Sequence, residues 1–66
     1  MSSERFGMRL KELREQKGLT QEGLAKKAGV SRAYLSRLEM GRHDPPLSRL
    51  RKLATALGVK VGRLLE

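Results

Sequence analysis

Three observations predict an all-α bundle of five short helices. Apolar residues recur at helical spacing in each segment, glycines fall where those segments end, and strand formers are scarce. Phe6 and Tyr34 are the only aromatic residues, and Thr20, Val30, Thr55, Val59 and Val61 the only β-branched ones. From Glu4 to Lys17, Phe6, Leu10 and Leu13 form one stripe, while Arg5, Arg9, Lys11, Glu12 and Glu15 fill the other faces, and Gly18 ends the run. Thr20 is an N-cap for a two-turn helix whose inner face is Leu24, Ala25 and Ala28, closed by Gly29. Ser31 caps a third helix, Arg32 to Met40, with Leu35 and Leu38 inward and Gly41 as terminator. Arg42 to Pro46 reads as a loop. Pro46 has the φ of a first helical turn, so the fourth helix is expected to begin there and to carry Leu47, Leu50, Leu53, Ala54 and Leu57 up to Gly58. Val61, Leu64 and Leu65 predict one last turn or two, and the chain stops soon after, so nothing is expected to follow the bundle.

Sixty-six residues fit one small domain, expected over 1–66, and rule out a multi-domain enzyme. Without cysteine there is no disulfide framework or thiolate metal site, and one histidine cannot assemble a zinc cage. No Ser/His/Asp set, paired carboxylate site or phosphate-cradling loop is present, so no catalytic residue, metal or cofactor is expected. No apolar run approaches the roughly 20 residues of a membrane span, and Met1-Ser2-Ser3-Glu4 lacks the order of a signal peptide. The expectation is a cytoplasmic protein with no membrane partner and no evident small-molecule ligand. Fifteen Lys and Arg against seven Asp and Glu give a formal charge of +8 and a pI near 10.9, which favours a polyanionic partner. Charge alone does not choose DNA over RNA, acidic protein or anionic membrane.

The informative segment is 21–40. A small residue at Ala25 lets two helices approach, Gly29 permits a sharp reversal, and Leu24, Val30, Leu35 and Leu38 fill the wedge between them. The third helix, at about 100° per residue, turns Ala33, Ser36, Arg37 and Met40 away from Leu35 and Leu38, with Arg32 free at its start. That outward face carries donors and methyls but no acid. An arginine fork can bond guanine N7 and O6 together, a serine several base edges, and an alanine methyl the thymine methyl. Tyr34, at the flank, has a ring placed to cover core and a hydroxyl placed to reach a phosphate.

These residues resemble the Cro/lambda-repressor-like (Xre-like) helix-turn-helix family. The matching pieces are Arg9-Leu10-Lys11-Glu12-Leu13-Arg14, Gly18-Leu19-Thr20-Gln21-Glu22, Ala28-Gly29-Val30-Ser31, Tyr34-Leu35-Ser36-Arg37-Leu38-Glu39 with Gly41-Arg42, and Leu53-Ala54-Thr55-Ala56-Leu57-Gly58-Val59. The resemblance implies a domain that sets its third helix in the major groove of double-stranded DNA, usually as a homodimer on a two-fold symmetric operator. The family's base-reading positions fall on Arg32, Ala33, Ser36 and Arg37, where periodicity also points. Gln21 matches a phosphate clamp at a helix N-terminus. Ser31 is first an N-cap and second a phosphate contact, while Arg42 and His43 match the loop that touches the flanking backbone. Arg14 and Glu39 match a partly buried ion pair that orients the third helix against the first.

Three departures from the family pattern stand out. Pro45-Pro46-Leu47 leaves the fourth helix without a side-chain cap. Lys60-Val61-Gly62-Arg63 puts a cation and a glycine where a helix N-terminus disfavours both. Lys26 and Lys27 stand where an activator would carry an acidic patch, so repression by operator occupancy is the more natural mode. The alternative is a protein-interaction module on the same scaffold, an antitoxin-like partner or adaptor whose cationic face meets an acidic protein. RNA binding is disfavoured, because the narrow A-form major groove cannot be read by side chains and no aromatic pair is displayed for stacking.

Overall fold

The computed structural model describes residues 2–66. Their regular structure is helical throughout: α1 (Ser3–Gln16), α2 (Gln21–Ala28), α3 (Arg32–Glu39), α4 (Leu47–Leu57) and α5 (Val61–Leu64). Ser2, Thr20 and Ser31 stand in extended backbone ahead of the first three helices. Their hydroxyls accept from the N–H groups of Arg5, Gly23 and Tyr34 at 3.1, 2.9 and 3.0 Å. α1 therefore starts one residue before the expected Glu4, on a cap the sequence reading did not name. Pro46 stands outside the fourth helix rather than in it. Its φ of −65° suits a helix, but its ψ of 160° is extended, so α4 opens at Leu47. Neither α4 nor the single turn of α5 has a side-chain cap, as their first residues predict. Met40, expected within the third helix, is the C-cap residue after Glu39.

The reversal between α2 and α3 takes only Gly29, Val30 and Ser31. Gly29 adopts φ 71°, and the Val30 N–H donates back to the Ala25 carbonyl at 3.0 Å, a left-handed termination that a Cβ would strain. The core then draws on every helix. Phe6, Leu10, Leu13, Leu24, Leu35, Leu38, Leu53 and Leu64 are all nearly or fully inaccessible. Leu47, expected on the inner face of the fourth helix, is instead 56% exposed, because the first residue of α4 stands beyond the edge of the core. Leu64 is wholly buried, and Leu65, past the last turn, is 44% exposed.

Two glycines fix how α3 meets α1. Gly7 is buried in the middle of α1, and a Cβ there would stand 2.5 Å from the Leu38 carbonyl oxygen and 2.6 Å from that of Glu39. At Gly41, with φ 76°, a Cβ would meet the Cα of Glu4 at 2.8 Å. The end of α3 thus lies directly on the α1 backbone with no side chain between. Arg9 ties α5 to the same helix: its Nε donates to the Arg63 carbonyl at 2.9 Å, and its guanidinium pairs with Glu66 at 3.0 Å and with Glu12.

Candidate nucleic-acid interface

Helix α3 is anchored on one side and bare on the other. Leu35 and Leu38 are fully buried, whereas Arg32, Ala33 and Arg37 are exposed, Ser36 is half-buried and Met40 is 55% exposed. Glu39 is the one acid of α3, and its side chain is 3% exposed. The outward face of α3 therefore presents two guanidinium groups, a hydroxyl and a methyl, with no carboxylate of α3 among them.

What occupies Glu39 also fixes the tilt of α3. Its carboxylate accepts from Arg14 through Nε at 2.6 Å and Nη2 at 3.1 Å, a fork-to-fork pair, while Arg14 Nη1 donates to the Leu19 carbonyl at 2.8 Å. The Glu39 hydrogen bond holds the Arg14 guanidinium above its already high ordinary range; burial opposes this, and the charges of Glu39 and Glu15 add to it. Glu39 accepts a third bond, from the Gln21 amide nitrogen at 3.1 Å. That bond joins α1, the first turn of α2 and the end of α3 at one carboxylate, a link the sequence reading did not foresee. It leaves Gln21 with one amide N–H and its carbonyl oxygen uncommitted.

A second cluster forms where α3, the following loop and α4 meet. Arg37 Nε donates to His43 Nε2 at 3.2 Å. The His43 ring lies within 21° of parallel to Tyr34, with centroids 6.4 Å apart, and the Arg49 guanidinium sits 4.5 Å from the centre of the Tyr34 ring. Asp44, the acid of this loop, accepts from the Ser3 hydroxyl at 2.7 Å. Tyr34 is half-buried against the core, and Ser31 serves as the N-cap of α3. Arg42 is exposed beside the cluster. None of Arg32, Arg37, Arg42 and Arg49 has an ion-pair partner among the described residues.

The fold thus gathers Gln21, Ser31, Arg32, Tyr34 and Arg37 around α3, and brings Arg42 and His43 in on the loop. Arg49 belongs with them and was missed by sequence reading. Helical spacing placed it outside the apolar stripe of α4, but only the tertiary fold shows that this first turn abuts Tyr34.

A helix whose outward face is cationic and free of acid, held behind a tight turn by a capped predecessor, is the arrangement of a helix-turn-helix protein. Residues 10–64 match the helix-turn-helix family, and the chain belongs to it. It is 44% identical over 59 residues to the immunity repressor protein of Bacillus phage phi105, a match covering 89% of this chain and 41% of that protein. The chain thus spans less than half the length of this relative. It superposes on the restriction-modification controller protein C.AhdI from Aeromonas hydrophila with a TM-score of 0.92 at 44% identity, covering 94% of each chain. The biofilm master regulator SinR, solved in complex with DNA, matches with a TM-score of 0.88 at 39% identity, over 92% of this chain and 98% of that one.

Proposed function

We propose that this chain binds double-stranded DNA sequence-specifically through α3 in the major groove and acts as a transcriptional repressor by occupying its operator. The observation that carries the reading is the exposed face of Arg32, Ala33, Ser36 and Arg37, bare of acid while the one carboxylate of α3 is turned inward to Arg14. The formal charge of +8 and the likeness to a regulator solved on DNA support it. Arg32 and Arg37 donate to base edges, and Ala33 and Ser36 complete the readout. Gln21, Ser31, Tyr34 and Arg42 lie toward the sugar-phosphate backbone, with His43 beside Arg42 on the same loop and Gln21 preset by Glu39. No chemistry is required, since the bound protein excludes polymerase by occupancy. The functional unit is a homodimer reading two half-sites about one helical turn apart, and Leu65, exposed just past α5, is an apolar side chain available for the partner.

Selection of bound duplexes from a random pool tests this. The expected winner is a two-fold symmetric site with half-sites centred about 10 base pairs apart. A pool that enriches no sequence after repeated rounds contradicts the proposal.

A further inference from the structure

We infer that His43 is a positioning residue that presets the Arg37 guanidinium for end-on reading of a base, rather than a backbone contact in its own right. The inference rests on the DNA-reading function proposed above. Exposed arginine side chains sample many rotamers, and a base-reading arginine loses that freedom on binding. Arg37 is already held, because its Nε donates to the Nε2 lone pair of His43 at 3.2 Å. With Nε engaged, Nη1 and Nη2 are left together at the tip, the two donors that meet N7 and O6 of a guanine side by side.

His43 is itself held. Its ring lies alongside Tyr34, whose ring carries the Arg49 guanidinium 4.5 Å from its centre, and the Asp44 next to it is tied to Ser3 of α1 at 2.7 Å. The loop that carries His43 is thus fastened to α1 on one side and to the α3–α4 junction on the other. Three cations, Arg37, Arg42 and Arg49, belong to this region, so a hydrogen-bond acceptor at position 43 serves Arg37 where a further cationic side chain would oppose it. A lysine at the same place would repel Arg37 yet attract phosphate, which separates the two roles.

Affinity for the selected duplex and for a scrambled one is measured with wild type, His43→Ala, His43→Gln and His43→Lys. His43→Ala should lower the selected-to-scrambled affinity ratio about threefold to tenfold, the freedom of one rotamer-rich side chain. His43→Gln, whose amide oxygen can accept from Arg37, should restore most of the ratio. His43→Lys should lower the ratio at least as far as alanine while tightening the scrambled duplex through an added phosphate contact. In the free protein, the Arg37 Nε–H resonance should shift and exchange faster with water in His43→Ala than in wild type. An unchanged ratio in His43→Ala, or equal tightening of both duplexes by His43→Lys, overturns the positioning role while leaving base reading intact. A wild-type ratio near one overturns base reading itself, and an Arg37 Nε–H resonance indifferent to His43→Ala removes the bond on which the inference stands.

Discussion

At the scale of single residues, the Arg14–Glu39 pair decides most. Three donors converge on a carboxylate whose side chain is 3% exposed, so removing one member strands a charge in poorly solvated surroundings. Glu39→Gln should lower the unfolding free energy by about 3 kcal/mol in chemical denaturation, a large part of what a chain this short possesses. The double variant Arg14→Met/Glu39→Leu should be less destabilised than either single change, because neither charge is then left alone. A group whose pKa is raised on folding loses its stabilising effect only as pH climbs through that raised value. For Arg14 this lies in strong alkali, so the pair should not make stability fall anywhere between neutral and moderately basic pH. The pair was readable only through the family resemblance. Periodicity puts Arg14 beside the Leu10–Leu13 stripe and Glu39 on the flank of α3, and nothing in spacing alone joins positions 25 residues apart.

At the scale of elements, caps and close approaches set the geometry. Lys60 has φ −75° and ψ 151°, much the backbone that Thr20 and Ser31 use as working caps, but its side chain cannot accept a hydrogen bond. Lys60→Asp should therefore add a cap and a favourable charge at the helix N-terminus, raising stability by about 1 kcal/mol as read by the thermal midpoint. Gly7 runs the other way. A glycine inside a helix ordinarily costs about 1 kcal/mol relative to alanine, yet Gly7→Ala should destabilise by about 1 to 3 kcal/mol, since its methyl would strike two carbonyl oxygens of α3. Denaturation midpoints decide both cases. The existence and order of the helices were legible because their apolar spacing, caps and glycine stops agree. The backbone-to-backbone contact of α1 with α3 was not, because Gly7 looks like a defect in the helix until its neighbour is known.

At the scale of the whole molecule, the inward acid and outward cations of α3 are one arrangement. The carboxylate that fixes the helix against α1 is withdrawn from the face proposed to meet DNA, while Arg32, Arg37, Arg42 and Arg49 remain without ion-pair partners among the described residues. The sequence carried the composition of that face, since helical periodicity alone sorts Leu35 and Leu38 from Ala33, Ser36 and Arg37. It could not carry the side-chain couplings Arg37–His43 and Arg49–Tyr34, which depend on where the loop after α3 folds back. The fields of these cations add, so affinity should fall steeply with salt for any duplex, with a slope near −0.9 per phosphate neutralised. Gln21→Ala should weaken selected and scrambled duplexes alike.

The most direct measurement compares wild type with Arg37→Ala on the selected and scrambled duplexes at one salt concentration. If α3 reads base edges, the variant should lose about 1 to 3 kcal/mol of discrimination, a drop of roughly 5-fold to 150-fold in the affinity ratio, while binding to the scrambled duplex weakens little. Equal weakening of both duplexes would mean that Arg37 supplies charge alone, and that the exposed face of α3 does not read sequence.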